Sequence, residues 1–140
     1  KYFPPKEIVD KCKEIAKETG AVIKLESDVG KAVENADVIY TDVWVSMGEK
    51  EEVWKERIKD LLPYQVNSSV MEKAGKDAIF LHCLPSFHDL ETEIGVDIFN
   101  KYGLSAMEVT DDVFQSPASL VCEEAENRMH TIKAVMALTL

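Results

Sequence analysis

Ala78-Ile79-Phe80-Leu81-His82-Cys83-Leu84-Pro85-Ser86-Phe87-His88-Asp89 passes, without a spacer, from an unbroken apolar run to a thiol, two imidazoles and a carboxylate. The apolar part is too short for a helix and reads as a buried strand. In an open α/β sheet ligands sit in the crevice outside the carboxyl ends of the strands, so the groups that follow Leu81 stand where chemistry is done. An earlier stretch repeats the arrangement: Asp37-Val38-Ile39-Tyr40-Thr41 reads as a strand, and Asp42-Val43-Trp44-Val45-Ser46-Met47-Gly48 follows it. Two such edges make a site.

The rest of the chain supplies helices between strands. Pro4-Pro5 precede a 3.6-residue pattern of Ile8, Val9, Cys12, Ile15 and Ala16, which Gly20 closes. Ala21–Leu25 reads as a strand, and Ser27 or Asp28 caps a short helix reaching Asn35. Glu49–Leu62 is predicted helical, with Glu49, Glu51 and Glu52 at the positive end of its dipole and Pro63 as its stop. Asn67 or Ser68 caps a further helix through Met71 to Ala74, Ile94–Tyr102 forms another before Gly103, and Met107-Glu108-Val109 reads as a last short strand. The longest helix runs from Ser119 to Leu140, with Val121, Ala125, Met129, Ile132, Val135 and Met136 along one face. Strands alternating with helices predict an α/β fold, a parallel sheet with helices on both faces and a long C-terminal helix.

A chain of 140 residues is one domain by the usual measure of roughly 100–200 residues. A formal net charge of −10 argues against a nucleic-acid surface, which needs clustered Lys and Arg. Cys12, Cys83 and Cys122 are widely spaced, neither a disulfide framework nor a zinc pattern. No apolar run approaches the ~20 residues of a membrane span, and no stretch reads as a signal peptide. These features point to a protein of the cytosol, or of an organelle matrix after processing.

Each candidate residue has a plain reading beside the chemical one. Cys83 alone after a strand is a small packed hydrophobe, but Pro85 fixes its direction, and thiolate character responds to nearby charge. Asp42 is an N-cap or a ligand in equal measure. Arg128 is a surface cation paired with Glu124 one turn earlier, or an anion ligand. His82, His88 and Asp89 match no common zinc spacing, so no metal is expected; His88 and Asp89 shape their loop. Leu84-Pro85 is a candidate cis peptide. Trp44 and Trp54 are packing residues.

The two loop runs, with Glu126-Asn127-Arg128-Met129-His130, resemble the ornithine carbamoyltransferases over essentially the whole chain. Phe87-His88-Asp89 and Ser46-Met47-Gly48 are similar to the ornithine branch in particular. The resemblance implies a Rossmann-like ornithine domain, residues 1–140, lacking its first strand and helix. The carbamoyl-phosphate domain with its Ser-x-Arg-Thr segment would then be absent. It implies transfer of a carbamoyl group from carbamoyl phosphate to the side-chain amine of L-ornithine, giving L-citrulline and phosphate. By the same resemblance Asp42, Ser46 and Met47 contact ornithine, Cys83 and Leu84 contact both substrates, and Arg128 contacts carbamoyl phosphate. Cys83 would be the catalytic candidate, helping the amine shed its proton, with no covalent intermediate and neither cofactor nor metal. His130 would be structural. The whole enzyme would be a homotrimer or a multiple of one, and this chain alone would be inactive. The rival expectations are a non-catalytic binding or folding module, and a carbamoyltransferase for another amine.

Gly48 is placed to hinge a flap over the amine substrate. Limited proteolysis around Met47 is therefore expected to slow when L-ornithine is added; cleavage at an unchanged rate would remove the flap.

Overall fold

The computed structural model describes residues 1–140 apart from Met47 and Glu51. In order, the elements are α1 (Lys6–Thr19), α2 (Val29–Ala32), β1 (Val38–Thr41), α3 (Glu52–Leu61), α4 (Ser68–Ala74), β2 (Ile79–His82), α5 (Glu93–Tyr102), α6 (Asp111–Phe114) and α7 (Val121–Thr139), with a 3-10 turn over Leu62–Tyr64. The fold is α/β with a parallel sheet, as the alternation predicted.

Local chemistry sets most boundaries. Asp28, Asn67 and Thr92 each accept a backbone N–H from the residue three positions on, at 3.1, 3.1 and 3.0 Å, and so start α2, α4 and α5. Gly20 and Gly103 take the left-handed conformation, at φ 77° and 72°, and close α1 and α5. α2 is shorter than expected, and Asn35 sits beyond it at φ 57°. Among the described residues α3 starts at Glu52 rather than Glu49, and the Glu49 side chain binds the preceding loop.

β1 and β2 pair in parallel with Val38 opposite Ile79, Ile39 opposite Phe80, Tyr40 opposite Leu81 and Thr41 opposite His82. Ile39 and Phe80 point into one core, with Val33, Val66, Ala74, Ala78, Val109, Val113 and Val121. The outer edge of β2 is taken by the chain entering α7: the Phe80 N–H donates to Ala118 O at 2.8 Å, and the Leu120 N–H donates to Phe80 O at 3.0 Å. A second buried cluster, Trp44, Val45, Ile58, Ile98 and Met107, lies between α3 and α5 beneath the loop that follows β1. Trp44 is thus a packing residue, as expected.

Three expectations are corrected. Ala21–Leu25 forms no strand: among the described residues it has no ladder partner, and Val22, Ile23 and Leu25 face solvent. Met107–Val109 is not a strand but a single parallel bridge between Val66 and Val109. The apolar face foreseen on the last helix is not buried; Val121 is the buried residue of α7, while Met129, Ile132, Val135 and Met136 are exposed. The face of α1 behaves likewise, with Val9 buried and Ile8 and Ile15 exposed. Period alone marks an amphipathic helix, but says nothing about whether a neighbour covers it.

Phe80, at 0% exposure, is the centre of the sheet core. Phe80→Ala is expected to cost about 3–5 kcal/mol, whereas Val135→Ala should stay within about 0.5 kcal/mol. Urea unfolding of the two variants checks both.

Candidate functional site

Because Thr41 and His82 are the last paired residues, Asp42 and Cys83 leave the sheet side by side. The Cys83 thiol donates to Asp42 Oδ1 at 3.0 Å, and the same oxygen accepts the Val43 N–H at 2.7 Å. Burial, then the hydrogen bond and charge of Asp42, push the Cys83 thiol above its ordinary value. Desolvation and a neighbouring anion both disfavour the thiolate. Cys83 is therefore a thiol that donates its hydrogen bond to a carboxylate.

Beside this pair lies a cavity of ≈ 480 Å³ whose walls include Val43, Ser46, Trp54, Cys83, Leu84 and Phe87. That size is in the usual range for a small-molecule site, roughly 300–1,000 Å³. Ser46, Cys83 and Leu84 are thus brought together, with Asp42 bonded at the edge through Cys83. Met47 lies outside the described residues. The Leu84–Pro85 peptide is cis, as anticipated.

The loop carrying Ser46 is clamped from α3. Arg57 donates to Trp44 O at 2.9 Å and to Glu49 Oε1 at 2.9 Å, while the other Glu49 oxygen accepts the Ser46 N–H at 2.7 Å. Gly48, at φ 89°, makes the turn, a conformation open to glycine.

Arg128 stands apart. It is exposed on α7 and does not line the cavity, and among the described residues the plain reading, a pair with Glu124, is not formed. Glu124 instead accepts the Tyr40 hydroxyl at 2.5 Å. That bond, with desolvation and the negative charges of Glu124 and Asp42, pushes the Tyr40 phenol up to about 12. Tyr40, Asp42, Cys83 and Glu124 form one acidic neighbourhood at the strand ends, fit for a cationic group.

His88 Nδ1 lies 2.8 Å from Asp111 Oδ1 and 3.4 Å from Asp89 Oδ2, and its ring stacks on Phe114 with centroids 3.6 Å apart. Asp89 also accepts the Glu91 N–H at 3.0 Å. These two residues shape their loop, as the sequence suggested. His88, Asp89 and Asp111 bring ligand atoms within 4.8 Å of one another, but His88 already spends Nδ1 on Asp111. His82 is separate, buried, and bonded through Nδ1 to the Cys83 carbonyl.

Glu108 was not foreseen. Its side chain is 1% exposed, yet one oxygen accepts the Trp44 N–H at 3.1 Å and the other the Phe87 N–H at 3.2 Å. Burial pushes its carboxyl up, opposed by those two N–H groups and by the His82 ring. A raised carboxyl pKa means the folded chain binds the proton more tightly than the unfolded one. Ionising Glu108 therefore lowers stability as pH rises from the unfolded value through the folded one. The available signal was an acid between two apolar residues, Met107 and Val109, in a strand-like run.

Residues 1–139 match the family model for the aspartate/ornithine carbamoyltransferase Asp/Orn binding domain. The chain belongs to that family. An ornithine carbamoyltransferase of Staphylococcus aureus is 59% identical over 138 residues, covering 98% of this chain and 41% of its own length. The ornithine carbamoyltransferase structure from Pyrococcus furiosus superposes with a TM-score of 0.79 at 42% identity, over 98% of this chain and 38% of that one. An N-acetyl-L-ornithine transcarbamylase structure gives a TM-score of 0.71 at 26% identity, over 99% and 38%. The chain thus spans about two-fifths of the length of these relatives. Among its described residues no helix is long and apolar enough to cross a membrane.

After burial, the hydrogen bond and charge of Asp42 push the Cys83 thiol up, so Asp42→Asn is expected to speed alkylation of Cys83 by iodoacetamide at pH 7.5 several-fold. Peptide mass mapping reads each cysteine separately, with exposed Cys12 and Cys122 as controls. A slower reaction would mean that Asp42 draws the proton from the thiol instead.

Proposed function

We propose that this domain supplies the amine side of an ornithine carbamoyltransferase site, in which a carbamoyl group passes from carbamoyl phosphate to the side-chain amine of L-ornithine, releasing L-citrulline and phosphate. The observation that carries the reading is the Cys83–Asp42 hydrogen bond, 3.0 Å long, at the rim of the cavity shared by Ser46 and Leu84. The identity of 59% to a curated ornithine carbamoyltransferase supports the choice of amine.

An alkylammonium has a pKa near ~10.4 and is almost wholly protonated at neutral pH. It must lose a proton before its nitrogen has a lone pair for the carbonyl carbon. The carboxylate of Asp42 attracts the ammonium and accepts its hydrogen bond, and the Cys83 thiol orients that carboxylate. The first proton passes through Asp42 to water; the new N–C bond then forms as the C–O bond to phosphate breaks, and phosphate leaves with the electron pair and takes up the remaining extra proton of the nitrogen. Cys83 and Leu84 flank the reacting carbon and Ser46, with Met47, holds the amino-acid end. Arg128, exposed on α7, serves carbamoyl phosphate together with the carbamoyl-phosphate domain, which lies outside residues 1–140. No cofactor takes part in this scheme. The chain alone is inactive.

The test is citrulline formation on mixing this chain with a separately produced amino-terminal part of a related ornithine carbamoyltransferase, against L-ornithine, N-acetyl-L-ornithine, putrescine and L-aspartate. A carbamoylated product should appear only in the mixture and only from L-ornithine, as citrulline, and Asp42→Asn should lower the rate about 10²-fold or more. A folded mixture that makes none favours a binding or folding module, and product from another amine reassigns the substrate.

A further inference from the structure

The two rims of the cavity come from different parts of the chain, yet one side chain touches both. Glu108 accepts the Trp44 N–H from the loop after β1 and the Phe87 N–H from the loop after β2. The backbone at and just before it is held as well. The Met107 N–H donates to Phe87 O at 2.8 Å, the Val66 N–H donates to Glu108 O at 2.9 Å, and Gln65 Nε2 donates to the Ala106 and Met107 carbonyls at 3.1 and 2.8 Å. The carboxylate therefore sits on a fixed base, and its two oxygens set the distance between the rims.

We propose that Glu108 is a positioning residue that locks the loop segment Asp42–Ser46 and the Cys83–Phe87 loop into one unit, so that amine substrate bound at one rim is felt at the other. The inference rests on the ornithine reading for its ligand but not for its geometry. A carboxylate with both oxygens engaged by backbone donors is rigid in a way that a neutral amide of the same shape is not. The amide keeps one acceptor, and its NH2 group faces a second N–H that also donates. Placing the acid here also has a thermodynamic penalty, since burial disfavours its charged form. An apolar side chain would fill the same space more cheaply, while a carboxylate can hold two loops at once.

The experiment follows backbone amides of this chain by NMR in the wild type, Glu108→Gln and Glu108→Asp. In Glu108→Gln, hydrogen exchange at Trp44 or Phe87 should accelerate at least tenfold relative to the Phe80 amide, which bonds Ala118 in the sheet core. Titration with L-ornithine should shift amides in both loops of the wild type. In Glu108→Gln it should shift those of one loop only, with affinity at least tenfold weaker. Glu108→Asp keeps the charge but loses reach, and should show the same separation of the loops if Glu108→Gln fails to fold. Exchange at Trp44, Phe87 and Phe80 rising in parallel in the folded variants would mean a general structural role and overturn the proposal. So would variants in which both loops still respond together. If L-ornithine shifts nothing in the wild type, the ornithine reading fails, and the exchange comparison alone decides the role of Glu108.

Discussion

The chemistry of this domain depends on the register of β1 against β2. Pairing Thr41 with His82 sends Asp42 and Cys83 out of the sheet together, and a strand has a side-chain period of two. A slip by one residue would exchange the buried and exposed faces. It would turn Tyr40 inward and Ile39 outward, and the thiol would no longer reach the carboxylate. The register is held by Ile39 and Phe80 in the core, by the Ile79 N–H on Asp37 O at 3.0 Å, and by the two hydrogen bonds that tie Phe80 to the segment entering α7. Apolar burial chooses the register, and the acidic pair inherits its position.

Above the sheet, the site rests on its own smaller core. Trp44 and Val45 are buried between α3 and α5 with Ile58, Ile98 and Met107, so the loop that carries Ser46 is anchored by an indole rather than left loose. Arg57 and Glu49 fix its far side at 30% side-chain exposure each, and both also bind backbone groups of the loop. The segment around Glu108 joins this smaller core to the sheet.

Much of this was legible in the sequence. The unbroken apolar run Ala78–Leu81, the capping residues Asp28 and Asn67, and the stops Gly20 and Gly103 each carry a local reason that needs no partner. The meeting of Asp42 with Cys83 followed from two strand ends in one parallel sheet. What was not legible depended on neighbours. Ala21–Leu25 has the composition of a strand and no ladder; the α7 stripe has the period of a buried face and no cover. The plain reading of Arg128 paired it with Glu124 one turn earlier, but Tyr40, distant in sequence, holds that carboxylate. Glu108 was hidden because a buried acid is recognised by its donors, Trp44 and Phe87, and those come from two other loops.

The uncovered stripe of α7 bears on how the chain behaves in water. Met129, Ile132, Val135 and Met136 are about half exposed, and Leu138 is 87% exposed, on a helix that ends in open solvent. Contiguous apolar surface of this kind favours self-association. Against it stands a net charge of −10, which sets molecules repelling one another at long range. The colloidal balance of the domain is therefore tunable by salt: screening shortens the repulsion from about 10 Å at 0.1 M to about 3 Å at 1 M, while the attraction between apolar stripes is left intact.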